Sequence, residues 1–246
     1  VWGSLQNAGQ TCISVERVYV EAGAYESFVA RVVDKVRDVR QGGPAGPGHT
    51  DIGAMTSSEQ LEILEEHVRD ALDKGATLEA GGRRREGPGD FFEPTVLSGV
   101  DHSMKVMTEE TFGPVLPIMR VDDVEQAVRL ANDSRYGLNS SVFAGDPRRG
   151  EQIARRLEAG AAVVNDALAN YFATEIPIGG VKESGLGARH GAVGIQKYCL
   201  RQNVVTTRFA LNRELYYFPY SRTTVKLVEW TIVALFGHRG ARRRRR

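Results

Sequence analysis

At 246 residues, 41% of them hydrophobic, the chain can bury the core of one large or two modest domains of a soluble globular protein. Lys plus Arg total 32 against 31 for Asp plus Glu, so the body offers neither a nucleic-acid footprint nor an acidic one. Five of those arginines are Arg242–Arg246; without them the balance is 27 against 31, a net of −4, and the basic character belongs to the tail alone.

In chain order, alternating apolar residues over Ile13–Val20 predict a strand. Phe28, Val29, Val32, Val33, Val36 and Val39 recur at three to four residue intervals and predict an amphipathic helix over Tyr25–Arg40. Gly42 to Gly48 ends it as a loop; the Lys-Ser or Lys-Thr of a phosphate cradle is absent and its prolines remove amide donors. Ser57 or Ser58 caps a second helix with Leu61, Leu64, Val68 and Leu72 as its buried stripe, closed by Gly75. Residues 76–80 and 94–98 read as short strands, and Val115–Val121 as a firmer one. Asp122 or Asp123 starts a helix bearing Val124, Ala127, Val128 and Ala131, and Ser140–Ala144 is a strand. Asp146-Pro147 opens a helix running to Leu157, and Ala161–Val164 is an apolar strand. A short helix lies within Ala188–Lys197, and Val204–Phe209 reads as a late strand. Strands alternating with helices make the class α/β, a largely parallel sheet covered by helices. The expected division is a catalytic domain over 1–187, the short helix and late strand over 188–210, and an extension over 211–246. Within that extension Val225–Gly237 is apolar but shorter than the ~20 residues a spanning helix needs. It reads either as a helix packed on the body or, with the arginines, as a weak anchor on a membrane surface.

Three motifs carry chemistry. Asn7-Ala8-Gly9-Gln10-Thr11-Cys12, Glu109-Glu110-Thr111-Phe112-Gly113-Pro114 and Pro177 to Gly187 together resemble, in order and rough spacing, the NAD(P)-dependent aldehyde dehydrogenases over about residues 1–210. The resemblance implies that Cys12 is the nucleophile, that Glu110 accepts from the nicotinamide ribose hydroxyls, and that Phe112 holds the nicotinamide end, with NAD or NADP as cofactor. It places Gln6 and Ile178 at the aldehyde, with Tyr171 and Phe172 near them. Each of Ile178, Tyr171 and Phe172 is equally compatible with plain core. Asn165 is expected to anchor backbone. Relatives acting on succinate semialdehyde often carry Arg where Gln6 stands, and the neutral amide argues against a strong preference for carboxylate-bearing aldehydes. Ser14 departs from the family, which more often has Ala, Gly, Cys or Asn there.

The residue types suit the reaction. A thiolate added to a carbonyl makes a tetrahedral oxyanion that expels hydride, and a carboxylate accepts from both hydroxyls of a diol. The late glycines do not fit the dinucleotide-fold spacing; they permit close backbone approach instead. With Cys12 and Cys199 as the only cysteines, no disulfide framework exists and a reducing cytoplasm is expected. The five histidines lack metal spacing, so no metal is expected. No charged-then-apolar leader precedes Val1. The missing initiator Met and the start inside a motif suggest a truncated chain, without the coenzyme-binding half, the Glu that activates water, or the second oxyanion donor. The resemblance also implies a homo-oligomer joined by the late strand. The overall expectation is a fragment of an aldehyde-oxidising enzyme with little activity alone. The alternatives are a non-catalytic oligomerisation or membrane-associating module, and a coenzyme A-acylating relative.

Overall fold

A computed structural model describes residues 1–43, 48–209 and 217–237. Part of the loop expected over Gly42 to Gly48, the chain from 210 to 216, and the run Arg242–Arg246 lie outside the described residues.

The chain opens with a helical turn α1 (Trp2–Leu5) and a 3-10 turn (Gln6–Gly9), then β1 (Val18–Glu21), α2 (Tyr25–Arg37), α3 (Ser58–Asp73), β2 (Thr77–Ala80) and β3 (Thr95–Ser98). There follow α4 (Lys105–Thr108), β4 (Val115–Val121), α5 (Val124–Asn132), β5 (Tyr136–Gly137), β6 (Asn139–Val142), α6 (Pro147–Ala154) and β7 (Ala161–Val164). The last elements are α7 (Ala169–Phe172), β8 (Val181–Lys182), α8 (Gly191–Gln196) and α9 (Arg222–Phe236). The main sheet has the order β1-β4-β3-β2, with β4 parallel to both β1 and β3 and only β2 antiparallel. A second parallel pair joins β6 to β7, and β5 pairs with β8.

The period of two along the central strands divides the core. Val96, Leu116 and Ile118 point to the face where α2 lays Val29, Val32, Val33 and Val36. Leu97 and Val115 point to the other, against Leu61, Leu64, Val68 and Ala71 of α3. Both strands are therefore covered on two sides, and their middles, Val96-Leu97 and Val115–Met119, are apolar without alternation. The caps form as their side chains require: Ser57 Oγ accepts from the Gln60 N–H at 3.4 Å, Asp123 from Gln126 at 2.8 Å and Asp146 from Arg148 at 2.9 Å.

Several expectations shift. Phe28 and Leu72 are each 38% exposed, because the helix pitch turns Val29 and Ala71 inward instead. The first strand starts only at Val18, since the Ser14 and Val15 amides bond to Thr11 and Gly3 carbonyls rather than to a ladder. Helix α6 stops at Ala154, three residues early. Val204–Phe209 forms no ladder among the described residues, with Val205 at 91% and Phe209 at 90% exposure; a strand needs an edge to pair with.

By its contacts the chain divides into two units, Val1–Cys199 and Leu200–Arg246, so α8 belongs with the body. In the second unit α9 is capped by Ser221, which accepts from the Thr224 N–H at 3.1 Å, and none of its residues is buried. Trp230, Leu235 and Phe236 are each about two-thirds exposed. Among the described residues no helix is long and apolar enough to cross a membrane.

Candidate active site

The segment before Cys12 is a left-handed turn. Asn7, Ala8 and Gly9 have φ of 53°, 56° and 74°, a conformation that costs a non-glycine residue roughly 1–2 kcal/mol. Side chains hold it there. Asn7 Nδ2 donates to the Gln10 carbonyl and Gln10 Nε2 donates to the Asn7 carbonyl, both at 3.0 Å, while Gln10 Oε1 accepts from the Thr56 N–H at 2.8 Å. Ala8 is driven into the core. Cys12 then emerges on an exposed turn as a free thiol. Among the described residues its backbone N–H donates to no acceptor, leaving it available to an oxyanion formed beside the sulfur. Ser14, the departure from the family, ties this turn back to α1 by donating to the Ser4 carbonyl at 3.0 Å.

The Glu109–Pro114 segment lies against this turn. Gly9 packs so closely that a Cβ there would sit 2.1 Å from the Gly113 carbonyl oxygen, so only glycine permits the approach. Four residues beyond Cys12, the Glu16 carboxylate accepts from the Thr111 and Phe112 N–H groups, each at 2.9 Å. Burial pushes the Glu16 carboxyl above its ordinary range, while those two amides pull it down and Glu110 adds to the rise. From α3, Gln60 Nε2 donates to the Thr111 carbonyl at 2.8 Å, and buried His67 shares a 3.1 Å bond with the Thr111 hydroxyl. Burial holds His67 below the usual imidazole range, against the opposing pull of Glu109 at 3.5 Å.

Phe112 sits at φ 47° with a half-buried ring, and Glu110 is exposed, making no hydrogen bond or ion pair among the described residues. An uncommitted carboxylate on the same short turn as an apolar ring is of the type that suits a ribose diol and the nicotinamide attached to it. The sequence and the structure thus bring Cys12, Glu110 and Phe112 onto two abutting segments.

Gln6 is half-buried at the head of the left-handed turn. Ile178 is only 7% exposed, its backbone bridged to Arg189, so its side chain is covered rather than open to a substrate in this chain. Tyr171 and Phe172 are 47% and 73% exposed, which removes the plain-core reading for both. Asn165 braces backbone: its amide donates to the Ala144 carbonyl at 3.0 Å and accepts from the Ala144 N–H at 2.8 Å. In the late glycine run a Cβ on Gly179 would lie 2.1 Å from the Gly187 carbonyl, the close approach expected of these residues. No group of three or more metal-ligating side chains occurs among the described residues. Glu16 is the residue that sequence reasoning passed over; within an alternating stretch it looks like an ordinary solvent-side carboxylate.

Residues 1–204 match the model described as the aldehyde dehydrogenase family. A Mycolicibacterium smegmatis protein named as an NADP(+) succinate-semialdehyde dehydrogenase is 46% identical over 204 residues, covering 82% of this chain and 39% of its own length. A 4,4'-diapolycopene aldehyde oxidase of Methylomonas is 40% identical over 221 residues, covering 90% of this chain and 41% of its own. Among solved structures, a Mycobacterium tuberculosis aldehyde dehydrogenase complexed with NAD+ aligns with TM-score 0.78 and 32% identity, over 85% of this chain and 43% of that one. The chain therefore spans about 40% of the length of the curated relatives it matches.

Proposed function

Because the chain belongs to the aldehyde dehydrogenase family, we propose that it supplies the nucleophile-bearing part of an enzyme that oxidises an aldehyde to a carboxylate. The observation that carries this is the abutment of the Cys12 turn on the Glu110–Phe112 turn, through Gly9 against Gly113 and the Glu16 carboxylate. The Cys12 thiolate forms a C–S bond to the carbonyl carbon, and the carbonyl electron pair moves to oxygen. The Cys12 N–H donates to that oxyanion. NAD or NADP, once bound, supplies the acceptor for the hydride that leaves the carbon. The acyl group remains on the sulfur as a thioester, which water cleaves to release the carboxylate and return the thiol. Glu110 and Phe112 would hold the ribose and nicotinamide end of that cofactor.

Gln6 supports a neutral aldehyde as substrate, since a side-chain amide offers no charge-assisted bond to a second carboxylate. The two relatives named above differ in this respect, one acting by its name on a carboxylate-bearing aldehyde and the other on a carotenoid one. Homo-oligomer formation through Val204–Phe209 is supported by that segment's strand-favouring composition and by the exposure of Val204, Val205 and Phe209. Weak contact with a membrane surface is supported by the exposed apolar residues of α9 and by the arginines that follow in sequence. Two free, exposed cysteines support a reducing cytoplasm.

The test is Cys12→Ser in the full reading frame that carries this chain. Aldehyde-dependent formation of reduced cofactor is expected to fall at least about 1,000-fold, the scale of removing a nucleophile. Retained turnover would remove Cys12 from the reaction.

A further inference from the structure

We propose that Glu16 is a positioning residue: it holds the Glu110–Phe112 turn in register with the Cys12 loop and thereby sets where the cofactor is gripped relative to the sulfur, which rests on the oxidising reading above. One carboxylate spans two segments about 95 residues apart in sequence. Its Oε2 accepts from the Thr111 N–H and its Oε1 from the Phe112 N–H, one amide to each oxygen. Two consecutive amides can meet a single carboxylate only where the backbone curls around it. The left-handed Phe112 supplies that curl, and a bulky side chain reverts from such a conformation unless its surroundings hold it.

The side-chain hydrogen bonds that α3 makes to this turn stop at Thr111, where Gln60 binds the carbonyl and His67 the hydroxyl. Among the described residues Glu16 alone bonds the Phe112 amide. It also stands on the same loop as the nucleophile, so any displacement of one segment is passed to the other. Keeping a carboxylate here works against desolvation and the nearby Glu110, and the two amides are the compensation that a methyl or hydroxyl group could not reproduce.

The experiment compares wild type, Glu16→Gln and Glu16→Ala. By amide hydrogen exchange on this chain, residues 109–113 of the Ala variant are expected to exchange at least about tenfold faster, while α2 keeps its wild-type protection and reports an intact fold. Glutamine retains one accepting oxygen and should fall between. Unchanged exchange at 109–113 overturns the clamp. In the full reading frame, the KM for NAD(P) is expected to rise about tenfold in the Ala variant and less in the Gln variant, with the KM for aldehyde little changed. An equal rise in both KM values, or none, overturns the positioning role. If the wild type oxidises no aldehyde the broader reading falls, and the exchange data still decide whether Glu16 holds the turn.

Discussion

At the scale of single residues, the site depends on how closely two backbones approach. Gly9 has φ 74° and its missing side chain is where the Gly113 carbonyl lies. Gly9→Ala is therefore expected to destabilise the fold by about 2 kcal/mol or more, through overpacking against backbone together with the left-handed φ. Urea unfolding measures this, and a loss within about 0.5 kcal/mol would mean that the two turns can separate freely. Cys12, Glu110 and Phe112 stand out in the sequence as candidates because each sits inside a run whose neighbours are equally distinctive, and the structure sets their segments against each other. Glu16 does not stand out, since its partners are backbone amides that no pattern of side chains announces. Ala8 carries no sign of a left-handed φ either; the conformation is imposed by its neighbours Asn7 and Gln10 and by burial.

At the scale of elements, α2 and the strand pair β3 and β4 follow from their apolar residues, and of the cap candidates Ser57 or Ser58, Asp122 or Asp123, and Asp146, the structure uses Ser57, Asp123 and Asp146. What periodicity could not supply is the partner of an edge. Val204–Phe209 has strand composition and forms no ladder among the described residues. The segment after α2 is closed by Arg40 and Asp51, joined at 2.7 and 2.9 Å with a further bond from the Arg40 N–H. Those bonds from Arg40 hold the Asp51 carboxyl down at about 2, against an ordinary 3.8. With a lowered folded-state value, the stabilisation is present above 3.8 and is lost as pH falls towards 2. Asp51→Asn should accordingly lower the unfolding temperature at pH 7, with the gap to wild type closing between about pH 4 and pH 2; a gap independent of pH would contradict the pairing. Helix α9 makes a separate prediction. Its exposed Trp230 should shift its fluorescence to the blue with vesicles containing phosphatidylserine, reversibly by salt, and not with purely zwitterionic ones. No shift with either would remove the membrane reading.

At the scale of the whole molecule, a single α/β body carries Cys12 and the Glu110–Phe112 turn on abutting segments, and its relatives are more than twice as long. The α/β class and the family were legible because three motifs fall in order across one body; the arrangement between its segments was not, because it rests on backbone contacts such as Gly9 against Gly113. The central claim is that Cys12 carries the acyl group of the substrate. In the full reading frame, acid quenching during turnover with an aldehyde and NAD(P), followed by peptide mass spectrometry, tests it directly. The account predicts a thioester of the substrate's acyl group on Cys12 and none on Cys199. Continued oxidation with Cys12 unmodified at every quench time, or with the acyl group on Cys199, would contradict it.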